Sequence, residues 1–315
     1  MTADATTLAM FPGQGSQSVG MGKALVESYP YVQEYFDKAN KVLGFDLQNL
    51  CFEGPEEDLK LTANTQPSIL TVSVATYAVL KKEAAFTPGF FAGHSLGEYS
   101  ALVAAGMIDF ERAVQLVRRR GEAMQEAVPA GVGAMAAIMN VSAEDLTKLC
   151  AQASGGDQSV EVANFNSPQQ IVVAGHAGPV DKLIELAEAA GGRAVKLPVS
   201  APFHSQLMRP AREVMTPLLA DTPITPHGEE GAKVIPNVTG KVTDSYISDL
   251  LLQQIDSPVR WTQTLENAHQ AGCRNYIEVG PGKVLFGLAR RGLPRGEAKL
   301  QHSEDMGSLI QTLQS

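Results

Sequence analysis

A serine in the sequence context of a catalytic nucleophile lies at position 95. The pattern Gly93-His94-Ser95-Leu96-Gly97 follows an apolar, strand-like stretch and precedes the helix-like stretch Glu98–Ala105. A G-x-S-x-G sequence between a strand and a helix is typical of a nucleophile elbow, where small flanking residues permit a strained turn. The pattern alone is short enough to arise by chance, and a serine that only caps a helix is the alternative.

A serine hydroxyl is a poor nucleophile until a neighbouring base takes its proton. Of the six histidines, His204 is favoured because Pro198 and Pro202 stiffen the loop that carries it. His94 adjoins Ser95, and we expect its ring to point elsewhere from the turn. An ordinary surface or hydrogen-bonded histidine is the alternative for each one. The other four lie in glycine-rich or polar stretches: His176, His227, His269 and His302.

The stretch Phe11–Gln17, FPGQGSQ, follows the first strand-like run. Its two glycines leave backbone N–H groups free to point into a site, and such amides can stabilise an oxyanion. A dinucleotide-binding fingerprint is a poor alternative, because its third glycine would fall at Ser18. A simple turn is the other alternative.

An arginine lies on the apolar side of a predicted helix. Steps of three and four residues from Ala113 through Val117 reach Arg120 and Met124, whereas Arg118 and Arg119 point away. A buried guanidinium is costly unless an anion satisfies it, and its planar fork suits a carboxylate. The partner is either an internal Asp or Glu or a small anionic group on a substrate.

The bulk composition excludes several classes of protein. The chain has 315 residues, 44% hydrophobic and 19% charged, and a formal net charge of −9 without a long basic run, so we expect a globular protein that binds no nucleic acid. The three cysteines, Cys51, Cys150 and Cys273, have neither disulfide nor metal-site spacing. No signal or membrane-spanning pattern is present. We therefore predict a cytoplasmic protein without a membrane segment.

The elements that must position these residues follow an α/β order. Strand-like runs at Thr7–Phe11, Gly89–Ala92 and Asn275–Val279 each precede a tight turn, and helices are predicted at Gln66–Lys82 and Phe110–Ala127. Strand, turn and helix is the repeating unit of a parallel sheet. We therefore predict a large α/β domain, formed by residues 1–127 and 201–315.

The pattern of predicted elements changes at residues 128–200, and we predict that these residues form an inserted small domain. Its elements have the order βαββαβ, which is typical of a ferredoxin-like unit. A hairpin is expected to turn at Asn166-Ser167-Pro168. The predicted elements are strand Ala134–Met139, helix Ser142–Ala153, strands Val160–Phe165 and Gln170–Ala174, helix Pro179–Ala190 and strand Arg193–Val199.

Several motifs together resemble the malonyl-CoA:acyl-carrier-protein transacylase family of dissociated fatty-acid synthesis. The likeness covers nearly the whole chain, and GHSLGEYSA, FPGQGSQ and EVGPGKVL are its most characteristic parts. It implies a hydrolase-like α/β domain with an inserted ferredoxin-like unit. The matching stretches are Phe11–Gln17, Gly93–Ser100, Arg120-Gly121, Asn164–Pro168, Pro198–His204, Ser257–Trp261 and Glu278–Val284.

The resemblance also implies a role for each site residue. Ser95 is then the nucleophile that carries a malonyl ester, and His204 is its base. The backbone carbonyl of Gln254 orients His204, so that no acidic third residue is needed, and Arg120 holds the malonyl carboxylate. The two remaining implied roles are oxyanion N–H groups, from Gln14 and Leu96, and a bulky ring that disfavours α-methyl-branched substrates, from Phe203.

The expected reaction is transfer of malonyl from malonyl-CoA to acyl carrier protein, by a monomeric enzyme without cofactor or metal. A serine ester or thioester hydrolase, a malonyl transferase of a polyketide pathway and a non-catalytic carrier-binding module are the alternatives. A basic face could receive an acidic carrier, although such charges are more often simply solvated. The candidate cations are Arg118, Arg119, Lys283, Arg290 and Arg291.

Overall fold

A computed structural model describes residues 3–199 and 201–315. Met1 and Ser200, which bound the predicted domains, lie outside the described residues. The strands are β1 Asp4–Phe11, β2 Pro88–Gly93, β3 Gly133–Met139, β4 Val160–Ser167, β5 Gln170–His176, β6 Arg193–Lys196, β7 Lys233–Val234, β8 Asn275–Glu278 and β9 Lys299–His302. The α-helices are α1 Lys23–Ser28, α2 Gln33–Leu43, α3 Leu47–Glu53, α4 Glu56–Lys60, α5 Thr62–Ala84, α6 Gly97–Ala104, α7 Phe110–Glu126, α8 Ala143–Ala153, α9 Ala177–Ala189, α10 Arg209–Ala220, α11 Ser248–Ile255, α12 Trp261–Gln270, α13 Val284–Gly292 and α14 Met306–Gln314.

Five of these strands form one parallel sheet in the order β7-β2-β1-β8-β9. The predicted α/β architecture with a parallel sheet is thus confirmed. β2, β1 and β8 are neighbours, so the turns that follow Phe11, Gly93 and Glu278 meet at the same edge. The carboxyl edge of a parallel sheet is where such folds place their ligands.

Helices cover both faces of this sheet because successive side chains of β1 alternate between two cores. Ala9 and Phe11 join the core beneath α5 and α7, whereas Leu8 and Met10 join the core beneath α12 and α13. A strand buried on both faces is continuously apolar, and residues 7–11 of β1 are all fully or nearly fully buried. The last strand, β9, was not predicted from the sequence.

A second sheet is antiparallel, with the order β4-β5-β3-β6, and α8 and α9 supply its helical layer. Its hairpin turns at Pro168 and Gln169, one residue later than predicted, because Ser167 still pairs with Gln170. The predicted strand to Val199 is also too long. β6 ends at Lys196, and Pro198, which lacks an N–H group, cannot extend the ladder.

Backbone hydrogen bonds join the small sheet to the segment between α11 and α12. The amide of Phe165 in β4 donates to the carbonyl of Val259 at 2.8 Å, and the amide of Val259 donates to that of Ala163 at 2.9 Å. β4, the edge strand of the small sheet, therefore pairs with the segment between α11 and α12. In the described residues we find no helix that is long and apolar enough to cross a membrane.

Candidate active site

Ser95 lies in a strained turn between β2 and α6, as the elbow pattern predicts. Its φ is +52°, in the left-handed region that non-glycine residues rarely adopt. The flanking glycines are required by close contact. A Cβ atom at Gly93 would lie 1.8 Å from the carbonyl carbon of Gly97, and one at Gly97 would lie 2.0 Å from the carbonyl oxygen of Phe11. The turn therefore fits between β1 and α6 only with glycine on both sides.

His204 lies within proton-transfer distance of Ser95, although 109 residues separate them in the chain. The Ser95 Oγ to His204 Nε2 distance is 2.7 Å, and His204 Nδ1 lies 2.8 Å from the backbone carbonyl oxygen of Gln254. A carbonyl only accepts, so Nδ1 carries the proton and Nε2 has its lone pair towards the hydroxyl. The structure thus brings together the predicted serine, histidine and glutamine.

The surroundings of His204 keep its imidazole neutral. The side chain is buried, with 3% of its surface exposed. Burial, together with the positive charge of Arg120, lowers the pKa of His204 to about 3, although the hydrogen bond to the Gln254 carbonyl opposes the shift. A neutral imidazole at neutral pH can accept a proton from Ser95.

Arg120 is buried next to the serine, as the helical spacing predicts, with 1% of its surface exposed. Its Nη1 donates to Gln66 Oε1 at 2.8 Å, and its Nη2 donates to Gln254 Oε1 at 2.8 Å and to Ser95 Oγ at 3.1 Å. These acceptors are amides and a hydroxyl, not carboxylates. Among the described residues, its buried Nε has no hydrogen-bond partner. The internal ion pair considered from the sequence is therefore not formed among the described residues, and no protein carboxylate neutralises the guanidinium by direct contact.

A buried carboxylate that the sequence did not indicate lies behind the elbow. Glu98 is fully buried, and its carboxylate accepts hydrogen bonds from the Tyr246 hydroxyl, from Gln254 Nε2 at 2.7 Å and from the Asn237 amide at 3.1 Å. Burial raises the pKa of Glu98 to about 7, although its hydrogen bonds oppose the shift. Two of its three partners, Asn237 and Gln254, also form hydrogen bonds with Ser95.

Two of those partners hold the peptide groups of the nucleophile. Asn237 Oδ1 accepts from the Ser95 amide at 2.7 Å, and Asn237 Nδ2 donates to the Gly93 carbonyl at 2.7 Å. Gln254 Nε2 donates to the Ser95 carbonyl at 2.9 Å. The strained turn is therefore held on both sides by buried amides, which stabilise the conformation that exposes Oγ.

The two predicted oxyanion residues lie at the same cavity as Ser95. Leu96 is buried at the start of α6, and Gln14 is exposed in the turn after β1. Within the described part of the chain, neither backbone amide donates a hydrogen bond to a protein group. Free N–H groups beside a nucleophile can bind a developing oxyanion.

The cavity above Ser95 has a volume of about 200 Å³ and is lined by strands of the small sheet and by helices and loops around the carboxyl edge of the parallel sheet. Phe203 is half-buried at the cavity wall. It packs against the core beneath α5 and α7 and against an apolar cluster on the small sheet. His94 also lines the cavity: its ring turns away from Ser95, as expected, and its Nε2 lies 2.8 Å from Asn166 Oδ1. The sequence did not indicate this link between the elbow and the small sheet. The full lining is Gln14, Gln66, His94, Ser95, Leu96, Arg120, Met124, Met135, Asn164, Asn166, Val172, Leu197, Val199, Phe203 and His204.

The five cations of the predicted basic face are not brought together on one element. Arg118 and Arg119 extend from α7, and both form salt bridges with Glu122. The other three, Lys283, Arg290 and Arg291, lie at or on α13, which packs against the opposite face of the parallel sheet. The other histidines are absent from the cavity lining. Within residues 3–199 and 201–315, no cluster of three or more His, Cys, Asp or Glu side chains is suited to a metal ion.

Comparison with known proteins gives consistent results. A model of the acyl transferase domain family matches residues 9–312. The malonyl CoA-acyl carrier protein transacylase of Escherichia coli (strain K12) is 47% identical over 289 residues, which cover 90% of this chain and 91% of that protein. A solved acyl carrier protein S-malonyltransferase from Vibrio cholerae O1 aligns with a TM-score of 0.92 at 43% identity, covering 98% and 99% of the two chains. A structure of a type II PKS acyl-carrier protein in complex with its malonyl-transacylase aligns with a TM-score of 0.91 at 40% identity, covering 98% of each.

Proposed function

This chain belongs to the malonyl CoA-acyl carrier protein transacylase family of acyltransferases, and on that premise we propose that it transfers malonyl from malonyl-CoA to an acyl carrier protein through an ester on Ser95. One observation carries the proposal. The Ser95 hydroxyl lies 2.7 Å from a neutral imidazole and 3.1 Å from a buried guanidinium without a carboxylate partner. A nucleophile and an anion-binding group thus meet at one atom.

The first half-reaction forms the acyl-enzyme. Ser95 Oγ attacks the thioester carbonyl carbon of malonyl-CoA as its proton passes to His204 Nε2, which gives a tetrahedral oxyanion. Collapse of this intermediate breaks the carbon–sulfur bond. The proton on His204 then goes to the departing thiolate, so coenzyme A leaves as a free thiol and malonyl stays on Ser95.

The oxyanion is stabilised by backbone N–H groups and by the setting of the site. The free amides of Gln14 and Leu96 are our candidates for its donors, and Leu96 adds the partial positive charge at the start of α6. Gln254 contributes its carbonyl oxygen to His204, where a hydrolase would use a carboxylate. This bond fixes the tautomer and stabilises the imidazolium formed in each half-reaction.

The second half-reaction reverses the first with a different thiol. The phosphopantetheine thiol of the carrier protein gives its proton to His204 and attacks the ester carbonyl, and Ser95 recovers its proton as the carbon–oxygen ester bond breaks. A thioester becomes an ester and then a thioester again. Because the reaction begins and ends with a thioester, the exchange is nearly balanced and needs no external energy source.

Two residues select the acyl group. Arg120 binds the malonyl carboxylate, because its guanidinium lines the cavity and no carboxylate of the described residues contacts it. Phe203, at the cavity wall, crowds the position that an α-methyl branch would occupy. The pairing of Arg120 with substrate also favours transfer over hydrolysis, because it holds the ester in place within the cavity between the two units.

We also propose the finer description of the fold. The order β3-α8-β4-β5-α9-β6 and the strand order β4-β5-β3-β6 support a ferredoxin-like unit at residues 128–200, inserted into a hydrolase-like domain of residues 1–127 and 201–315. The cavity between the two units supports this division, since both line it. In this arrangement the small unit supplies one wall of the acyl pocket.

The carrier in our proposal is the acyl carrier protein of fatty-acid synthesis. The name of the E. coli relative mentions an acyl carrier protein but no pathway. The carrier in the complex at 40% identity is a type II PKS acyl-carrier protein. The monomeric state, the cytoplasmic location and the absence of a cofactor stay predictions.

Transfer is tested by the fate of the isolated acyl-enzyme. The protein is loaded with radiolabelled malonyl-CoA, separated from free nucleotide and offered either buffer or holo acyl carrier protein. We expect the label to move to the carrier thiol much faster than it appears as free malonate. Release into water at the same rate in both samples would show a hydrolase instead. A fatty-acid carrier and a polyketide carrier, compared in parallel, test the choice of partner.

A further inference from the structure

A guanidinium and a carboxyl group are buried behind the nucleophile without contacting each other. The Arg120 guanidinium and the Glu98 carboxylate both contact the side-chain amide of Gln254. Arg120 Nη2 donates to Gln254 Oε1 at 2.8 Å, and Gln254 Nε2 donates to Glu98 Oε2 at 2.7 Å. All three side chains are at least 99% buried. The amide therefore occupies the space in which a direct ion pair would form.

Only one orientation of this amide satisfies its neighbours. A guanidinium donates and never accepts, whereas an ionised carboxylate accepts and never donates. Gln254 must therefore direct its oxygen towards Arg120 and its nitrogen towards Glu98. The same nitrogen also donates to the Ser95 carbonyl at 2.9 Å, so the orientation also suits the nucleophile.

We propose that the Gln254 side chain is a positioning residue for anion recognition: its neutral amide holds Arg120 in place and separates it from Glu98, which leaves the guanidinium charge available to the carboxylate of the acyl donor. This role is separate from that of the Gln254 backbone carbonyl, which contacts His204. The inference rests on the proposed malonyl transfer and refines its substrate recognition.

A neutral spacer avoids competition between a protein carboxylate and the substrate carboxylate for Arg120. Arg120 lacks a carboxylate partner, and an incoming carboxylate meets a cation that the protein has not neutralised by direct contact. A protein carboxylate at the same 2.8 Å would form a charge-assisted pair with the guanidinium. The substrate would then have to share or displace it. An amide supplies a hydrogen-bond acceptor without this competing charge.

Gln254→Glu tests the inference, because it replaces the amide with a carboxylate of nearly the same shape and keeps the backbone carbonyl. Beside Glu98, one of the two carboxyls takes a proton, and the charge next to Arg120 is the one retained. Gln254→Met is the matched control, since it keeps the length of the side chain and adds no charge. The measured quantity is the ratio of the rates at which malonyl-CoA and acetyl-CoA acylate Ser95, followed by intact mass.

We expect both variants to acylate more slowly than the wild type, because both lose the hydrogen bond to the Ser95 carbonyl. The malonyl-to-acetyl ratio should fall by about tenfold or more in Gln254→Glu, which is the size of one charge-assisted contact, and stay within about threefold of the wild type in Gln254→Met. A general structural defect lowers both rates and leaves the ratio unchanged.

The possible outcomes separate the inference from the function on which it rests. An unchanged ratio in Gln254→Glu, or an equal fall in both variants, overturns the inference and leaves malonyl transfer intact. A wild-type protein that does not prefer malonyl-CoA overturns the proposed function itself. If thermal unfolding shows that Gln254→Glu does not fold, the double variant Glu98→Gln/Gln254→Glu, which restores the number of carboxyl groups, has the same expected fall.

Discussion

The buried position of His204 predicts an unusual pH dependence for the acylation of Ser95. Burial, together with the charge of Arg120, lowers the pKa of this imidazole from 6.5 to about 3. Acylation requires the neutral form, and kcat/KM reports ionisations of the free enzyme and free substrate. With the lowered pKa, about 99% of the imidazole is neutral at pH 5, whereas an ordinary histidine would be only about 3% neutral.

The assay is rapid-quench measurement of kcat/KM for acylation by malonyl-CoA between pH 5 and pH 8. We expect the acid side of the profile to be flat, with the value at pH 5 within about twofold of the plateau. A fall of about thirtyfold at pH 5, which an unshifted imidazole would give, would refute the reasoning.

One other ionisation lies in the same range and needs a control. Burial raises the pKa of Glu98 to about 7, and this group contacts residues that hold Ser95. Glu98→Gln removes this ionisation but retains an oxygen that can accept from Gln254 and Asn237. An inflection that disappears in Glu98→Gln therefore belongs to the carboxyl, and one that persists contradicts the neutral state assigned to His204.

The remaining predictions concern selectivity and stability. Arg120→Ala should slow acylation by malonyl-CoA by about 100-fold or more, because it removes charge-assisted contacts to the carboxylate; equal slowing with acetyl-CoA would argue against the anion site. Asn237→Ala removes the partner of the Ser95 N–H and of the Gly93 carbonyl. Its free energy of unfolding in urea should therefore fall by about 2–6 kcal/mol. A loss below about 1 kcal/mol would mean that these two hydrogen bonds do not hold the turn. Phe203→Ser should raise the methylmalonyl-to-malonyl acylation ratio by about tenfold, and an unchanged ratio would mean that the ring does not set this limit. Glu98→Gln should also flatten the loss of stability between pH 4.5 and about pH 7, since a carboxyl with a raised folded-state pKa stabilises the fold only while it is protonated.

The sequence was sufficient to predict those features that follow from local patterns of residues. The elbow glycines at positions 93 and 97 are required by contacts with neighbouring backbone, and this requirement is what the G-x-S-x-G pattern encodes. Helical spacing likewise placed Arg120 on the buried side of α7. The apolar run Thr7–Phe11 also predicted a strand of the parallel sheet, which is β1. The residues that form each of these patterns lie close together in the chain.

The residues that the sequence missed act through long-range contacts. Asn237 lies 142 residues from Ser95 and belongs to no helix or strand, so no periodicity marks it. The sequence held one weak indication that Glu98 is buried: it is the charged residue of α6, whose other residues are apolar or small. The side-chain contacts of Gln254 were also missed, although the resemblance had implied its backbone role. Hydrogen bonds of this kind become visible only when the fold brings distant segments together.

The strand ends were the least predictable part of the fold. β6 stops at Lys196 because a proline follows two residues later, and the β4–β5 turn is set by the pairing of Ser167 with Gln170. The position of the β4–β5 turn depends on pairing between two strands, whereas the end of β6 has a local cause in Pro198. β9 escaped prediction because its residues, Lys299 to His302, are mainly polar and lie at the edge of the sheet.

The central claim is that the Ser95 hydroxyl becomes an acyl ester because the His204 imidazole accepts its proton. Intact mass spectrometry and peptide mapping of the protein after a brief exposure to malonyl-CoA test it directly. The account predicts one malonyl group on the peptide that contains Ser95, none in Ser95→Ala and greatly slowed labelling in His204→Ala. A malonyl group on Ser95→Ala, or full-speed labelling of His204→Ala, would contradict it.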